Sequence, residues 1–354
     1  MVIILRTDPS KPDPLVLKKA AEILKNHGVV AFPTETVYGL GAIVFHEDAV
    51  LKVFKAKNRP PDNPLIIHVD NIDMVYEVAR DIPDKALRLI KRLWPGPLTL
   101  ILPRNPKVPK IVTGGLDTVA VRMPGHPVAL GLIHETGMPI AAPSANLSGR
   151  PSPTSAEHVL RDLGDKIDAI IDAGETLYGV ESTVLNVLIE PPVLLRPGAY
   201  PIEIIEEILG EKISIPEYAR GLGYAEIAFS PGMKYRHYAP EAKVVLIEPR
   251  SDGIDRLVEM VKDISKAFSK AGEQVCIVAS SETYERYAHI DSFKVFNIGS
   301  RRNLFEVAHN LFKVLRELDE NKCSIAIVEG FEERGLGLTI MNRLRKASSI
   351  RLEA

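Results

Sequence analysis

Proline fixes φ and supplies no backbone N–H, so a stretch rich in it cannot run long helices or central strands without interruption. Of the 27 prolines in this chain, 23 lie at or before Pro201, and only Pro216, Pro231, Pro240 and Pro249 follow. The first part is therefore expected to be built of short elements joined by stiff turns, while the second is free to be regular. At 354 residues the chain can hold two domains, each burying its own core. Lys plus Arg is 44 against 46 for Asp plus Glu, a net charge of −2, which argues against a chain-wide polyanion-binding surface. No apolar run approaches the ~18 residues of a membrane span, and the apolar part of MVIILRTDPS is too short for a secretory signal. A cytoplasmic location without membrane contact is expected. Cys276 and Cys323 sit in apolar runs without CxxC spacing, which disfavours a zinc site or a disulfide framework; two buried thiols are expected.

Residues 1–209 alternate helical and extended patterns. Leu17, Ala20, Ala21 and Leu24 share one helical face. Short apolar runs at 29–32, 65–69, 98–102, 119–123, 139–142, 169–171, 182–187 and 193–196 read as strands, and 202–209 as a closing helix. The mixture implies an α/β domain with a mixed, twisted sheet. Residues 210–242 lack a sustained period and read as a linker. From Lys243 the pattern becomes repeated βα units, with Asn303 and Glu306 at capping-box spacing before the helix at 304–318. This implies a small parallel sheet in the Rossmann-like manner. No GxGxxG follows its first strand, so dinucleotide binding there is unsupported.

No phosphate loop, HExxH, GxSxG or kinase set occurs. What remains are polar residues where strands end or prolines break the chain, the usual place for ligands in α/β folds. Lys57 and Arg59 stand before Pro60-Pro61; they can serve a phosphate or carboxylate, or simply complement a helix C-terminus. Arg122 and His68 interrupt apolar strands and need partners, which could be a ligand or could be internal, a structural carboxylate for Arg122 and a backbone carbonyl for His68. Ser144 and Asn146 lie directly after a strand, Arg196 ends another, and Thr34 and Thr36 follow a third. Four cations with hydroxyls, and no obvious nucleophile–base pair, suit an anionic substrate and spreading charge, as in phosphoryl or nucleotidyl transfer.

At these residues the sequence resembles the YrdC-type threonylcarbamoyl-AMP synthase family in its long, two-domain form. The resemblance rests on Pro33-Thr-Glu-Thr-Val-Tyr-Gly-Leu40, Lys57-Asn-Arg59, Asn63-Pro-Leu65, Trp94-Pro-Gly-Pro-Leu-Thr99 and Val121-Arg-Met-Pro124. It continues through Ala142-Pro-Ser-Ala-Asn-Leu-Ser-Gly149, Pro151-Ser-Pro-Thr154, Glu181-Ser-Thr183, Leu195-Arg-Pro-Gly198 and Ser230-Pro-Gly-Met-Lys-Tyr-Arg-His-Tyr-Ala-Pro240. It implies a YrdC-like catalytic domain over 1–209, a linker over 210–242 that closes on the active site as a lid, and a Rossmann-like domain over 243–354. The implied activity converts L-threonine, bicarbonate or CO2 and ATP into L-threonylcarbamoyladenylate and pyrophosphate. That product feeds the N6-threonylcarbamoyl modification of adenosine 37 of tRNA through a downstream transferase machinery.

Carried over residue by residue, the resemblance implies catalytic roles for Lys57, Arg59, Ser144 and Asn146. Threonine recognition falls to Thr36, His68, Arg122, the backbone at Ala142, and Ser182. ATP contacts fall to Arg59, Asn63, Thr118, Ser144, Ser152, Arg196, Tyr235 and His237. Magnesium is expected to arrive with ATP, because no carboxylate cluster offers a site of its own. Direct tRNA contact is left open. The main rival class is a double-stranded RNA-binding or ribosome-associated module without ATP turnover, which predicts strongly salt-dependent RNA affinity. A second rival, the carbamoyltransferases that mature hydrogenases, also carries zinc fingers, which two cysteines cannot build.

Overall fold

The computed structural model describes residues 2–223, 225, 228–229, 237–250 and 253–354. The chain divides into two compact units, one of residues 1–148, 152–219 and 223–235, the other of 149–151, 220–222 and 236–354.

In the first unit the strands are β1 (Ile3–Arg6), β2 (Val30–Phe32), β3 (Gly39–Ile43), β4 (Ile66–His68), β5 (Leu98–Pro103), β6 (Thr118–Arg122), β7 (Ile140–Ala141), β8 (Ala169–Asp172), β9 (Thr183–Asn186) and β10 (Val193–Arg196). Its helices are α1 (Pro14–Lys25), α2 (Glu47–Lys57), α3 (Ile72–Val78), α4 (Asp84–Leu93), α5 (Pro127–Thr136), α6 (Ala156–Leu163) and α7 (Ile202–Leu209), and a four-residue helix, α8 (Glu217–Arg220), follows. The ten strands form one mixed sheet in the order β1-β8-β2-β3-β7-β4-β6-β5-β9-β10. Helix α1 starts as its sequence demands: Asp13 accepts from the Leu15 N–H, Pro14 opens the first turn, and the expected face of Leu17, Ala20, Ala21 and Leu24 is buried.

Two strands were not apparent from local pattern. Strand β3 carries Gly39 and Gly41, which weaken an isolated strand, but here close packing requires them. A Cβ on Gly41 would lie 2.7 Å from the Phe32 ring and 2.8 Å from the Ile140 side chain. Strand β1 is an edge strand with three of its four residues exposed, so it carries no burial signal.

Residues 210–242 are less of a tether than their composition suggests. Ser214 bonds across to Leu194 and Pro192 beside β10. Ala228 is buried with Ile66, Ile101, Ala120, Val184 and Leu195, and Tyr218, Ala225 and Phe229 pack on the same cluster.

In the second unit β11 (Lys243–Glu248), β12 (Val275–Ala279), β13 (Lys294–Asn297), β14 (Ile325–Glu329) and β15 (Ile350–Glu353) form a sheet in the order β13-β12-β14-β11-β15, every neighbouring pair parallel. The linking helices are α9 (Ile254–Lys270), α10 (Glu285–Ala288), α11 (Leu304–Glu320) and α12 (Leu336–Ala347). The expected Rossmann-like arrangement is present, and Val245, Ile247, Val258, Val261, Ile277 and Ile327 are among the buried residues of its core.

Two local expectations fail here. Cys276 and Cys323 are not free thiols: they form a disulfide, with Cα atoms 5.8 Å apart. The pairing of Val275 with Ile325 brings Cys276, inside β12, to Cys323, just before β14, across a sequence separation of 47 that no local spacing rule reads. Asn303 does begin α11, but its side chain makes no cap bond, and Glu306 instead accepts from the Ser300 N–H. Among the described residues no helix is long and apolar enough to cross a membrane.

Candidate active site

The carboxyl end of β2 runs into Pro33, and the Thr34 hydroxyl then closes a tight turn by accepting from the N–H groups of Thr36 and Val37. The turn sets the Thr36 hydroxyl 2.9 Å from a terminal nitrogen of Arg122, which donates to it. Arg122 ends β6 and is buried, and its Nε donates to Gly96 O at 3.2 Å. Its second terminal nitrogen lies 2.7 Å from Glu35 Oε1, an ion pair by distance though without hydrogen-bond alignment. The structural carboxylate expected beside Arg122 is thus present in Glu35, and the Gly96 carbonyl joins it.

His68 stands opposite Arg122 in the parallel pairing of β4 with β6. Burial, and secondarily the neighbouring guanidinium, push its imidazole down from the ordinary value to about 3. The ring is therefore neutral. Because the folded value lies below the unfolded one, its contribution to stability is complete above about pH 6.5 and is lost as the pH falls from there towards 3. The expected slope is about 1.4 kcal/mol per pH unit for one proton. His68→Asn should flatten the acid side of the stability curve by that amount; parallel curves for the two proteins would contradict the assignment.

Lys57, the last residue of α2, is buried, and its ammonium donates to the backbone carbonyls of Ser144 and Asn146. Its own carbonyl accepts from the Ser148 N–H at 2.9 Å, so one residue fixes the 144–148 loop at both ends. Asn58 turns left-handed at φ 51° to end the helix, which brings Arg59 round to donate to Asn63 O at 3.1 Å and Pro64 O at 2.9 Å. On the far side Arg196 donates to Ser182 O and to the Ser182 hydroxyl, which also bonds Thr99 at 2.8 Å.

Thr36, His68, Arg122, Ala142, Ser182, Ser144 and Arg196 line one cleft. All five residues expected to hold threonine are in that set. The Ala142 N–H is spent on Ile66 O, so its carbonyl is the backbone group left for a ligand. The cleft is narrow, with a volume of about 40 Å³. Of the other residues expected at ATP, Arg59 and Asn63 meet each other, and Ser152 donates to Glu181 at 2.7 Å. Thr118 is half-buried at the start of β6, outside the cleft lining. His237 is half-buried, and Tyr235 lies outside the described residues.

Two carboxylates were missed. Glu181 is the one carboxylate among the described lining residues, and Glu35 backs Arg122. Both lie inside quoted motifs, but only the strand register shows what they face. No group of three or more His, Cys, Asp or Glu residues able to hold a metal occurs among the described residues.

A family model described as "Telomere recombination" matches residues 22–198, and one described as "Threonylcarbamoyl-AMP synthase, C-terminal domain" matches residues 201–349. The threonylcarbamoyl-AMP synthase of Pyrococcus abyssi is 49% identical, over 95% of this chain and 95% of its own length. That of Bacillus subtilis is 46% identical, over 98% and 96%. The crystal structure of P. abyssi Sua5 complexed with L-threonine matches with a TM-score of 0.92 at 47% identity, covering 100% of this chain and 99% of that one.

Proposed function

The chain belongs to the threonylcarbamoyl-AMP synthase family and is an enzyme of its ATP-dependent, nucleotidyltransferase type; we propose that the cleft between β2, β4, β6 and β9 is where its chemistry occurs. L-Threonine and ATP are its substrates. Bicarbonate or CO2 is the proposed third. The observation that carries this reading is the convergence on one cleft of Thr36, His68, Arg122, Ala142 and Ser182, with Ser144 and Arg196 beside them.

In the proposed reaction Arg122 and Thr36 take the threonine carboxylate. The Ser182 hydroxyl, neutral His68 and the Ala142 carbonyl take its hydroxyl and amine. The amine, once neutral, bonds to the carbon of CO2 and gives up a proton, or to the carbon of bicarbonate with a C–O bond broken and water lost, to give a carbamate. A carbamate oxygen then attacks the α-phosphorus of ATP in line, and the bond to the β-phosphate oxygen breaks to release pyrophosphate. Lys57 and Arg59 stabilise the carbamate and phosphate charge, and Ser144, Asn146, Asn63, Thr118, Ser152 and Arg196 position the acceptor and nucleotide. Magnesium comes with ATP and is held by its phosphates. The product passes to the machinery that modifies tRNA. Equal yields of pyrophosphate and threonylcarbamoyl-AMP, both requiring added bicarbonate, are expected; pyrophosphate formed without the adenylate would refute the scheme.

We also propose the division into a catalytic domain (1–209), a lid (210–242) and a Rossmann-like domain (243–354). Support comes from the cluster around Ala228. Ile66, Ala120 and Val184 each lie two residues from His68, Arg122 and Ser182, hence on the same face of the sheet. The lid segment therefore packs on the face that carries the substrate contacts. Tyr235→Ala with His237→Ala should weaken ATP binding at least about tenfold, the scale of a lost stacking or charged contact. Unchanged ATP affinity in that double variant would remove the lid.

A further inference from the structure

The parallel sheet of the second unit has its own ligand edge. From β12 the chain passes outward to β13, whereas from the adjacent β14 it crosses β11 to β15. Neighbouring strands that send the chain in opposite directions open a crevice at their carboxyl ends, which is where open α/β sheets take ligands. At that point Glu329, the last residue of β14, is fully buried. It accepts from the Ser280 N–H and hydroxyl, the Thr283 and Tyr287 hydroxyls, and Arg301. Arg301 also donates to Ser280 Oγ and Gly330 O, each at 2.9 Å, and lies over the Phe331 ring at 4.6 Å. Each of the three nitrogens of this guanidinium thus has a partner, and the group forms a fixed wall.

Against that wall lies a cavity of about 630 Å³, within the size range of small-molecule sites. Arg302 and Arg334 also line it, with Phe305 and Phe331, and Glu332 is the one carboxylate in the lining. Neither Arg302 nor Arg334 has an ion-pair partner among the described residues. Arg301 is paired with Glu329, so Arg302 and Arg334 against Glu332 leave the lining net positive, which concentrates anions at the edge of a low-dielectric crevice. Phe305, 38% exposed, also lines the cavity. Helix α11 begins at this cavity without a side-chain cap bond, and the carboxylate of its first turn, Glu306, is engaged by the Ser300 N–H.

We propose that this cavity binds the polyphosphate portion of a small molecule, with Arg302 and Arg334 as its phosphate contacts and Arg301 as its fixed wall. The site is distinct in the chain from the catalytic residues, all of which precede Gly149 or lie within 152–235 or at His237. Two sources supply that chemistry, inorganic pyrophosphate and a nucleoside polyphosphate, and the test separates them. Equilibrium dialysis of the full chain with pyrophosphate, and separately with ADP, should give one more equivalent bound to the wild type than to Arg302→Ala/Arg334→Ala. Loss of two charged contacts should weaken that equivalent at least tenfold. An extra equivalent with both probes assigns a nucleotide site, and with pyrophosphate alone an inorganic one. Threonine-dependent turnover of the double variant should match wild type, which shows that it is folded. Equal stoichiometry and affinity in the two proteins, with both probes, would overturn the proposal.

Discussion

Lys57→Ala and Arg59→Ala are each expected to lower threonine-dependent pyrophosphate release by about 10²–10³, the cost commonly seen when one fixed donor to developing charge is removed. The two losses should differ in kind. The Lys57 ammonium also holds the carbonyls of Ser144 and Asn146, so its removal frees the loop that carries a proposed ATP contact, Ser144, and the proposed catalytic Asn146. Lys57→Ala should therefore raise the KM for ATP as well as lower kcat. Arg59 is held by Asn63 O and Pro64 O within its own loop, and its loss should fall mainly on kcat. Steady-state measurement of pyrophosphate release in both variants decides this, and near-wild-type turnover in either would remove that residue from the chemistry.

Arg122→Ala should have the second large effect, on stability and threonine use together. Arg122 and Glu35 form a buried pair whose side chains are 4% and 7% exposed. Removing one member leaves the other charge buried and uncompensated, which costs about 3–5 kcal/mol. Arg122→Met combined with Glu35→Gln removes both charges and should recover most of that stability. It should not recover threonine binding, because the proposed carboxylate contact is still gone. Chemical denaturation and threonine titration of the single and double variants separate the two roles. A double variant that regained both stability and threonine affinity would make Arg122 purely structural.

Much of this was legible in the sequence because the informative residues sit at strand ends. Arg122 and His68 announced themselves by interrupting apolar runs, and the structure gives each a buried place in adjacent strands. The KxR and SxN segments were separate motifs until the Lys57 ammonium joined them across 87 and 89 positions. What stayed hidden depends on long-range register. Glu35 reads as an ordinary turn carboxylate until β6 places Arg122 against it. Strand β3 was obscured by glycines whose reason is the Phe32 ring next door. The Cys276–Cys323 bond follows from the β12–β14 pairing and from nothing local. Asn303 shows the opposite failure: the capping-box spacing was present, but Ser300 claims the Glu306 carboxylate first.

The proline asymmetry that separated the two halves also bears on the site. Pro60 follows Arg59, Pro143 precedes Ser144 and Pro197 follows Arg196, so fixed φ values stiffen three loops that present proposed contacts. A site that stabilises charge by position gains from loops that need no reordering when substrate arrives.

The most direct test of the central claim is pyrophosphate release from ATP by the full chain, in bicarbonate buffer, with and without L-threonine. Release that requires threonine, and that falls when L-threonine is replaced by L-valine, which matches its shape but lacks the hydroxyl, is the predicted result. Release at the same rate without threonine, or none in its presence, would contradict it.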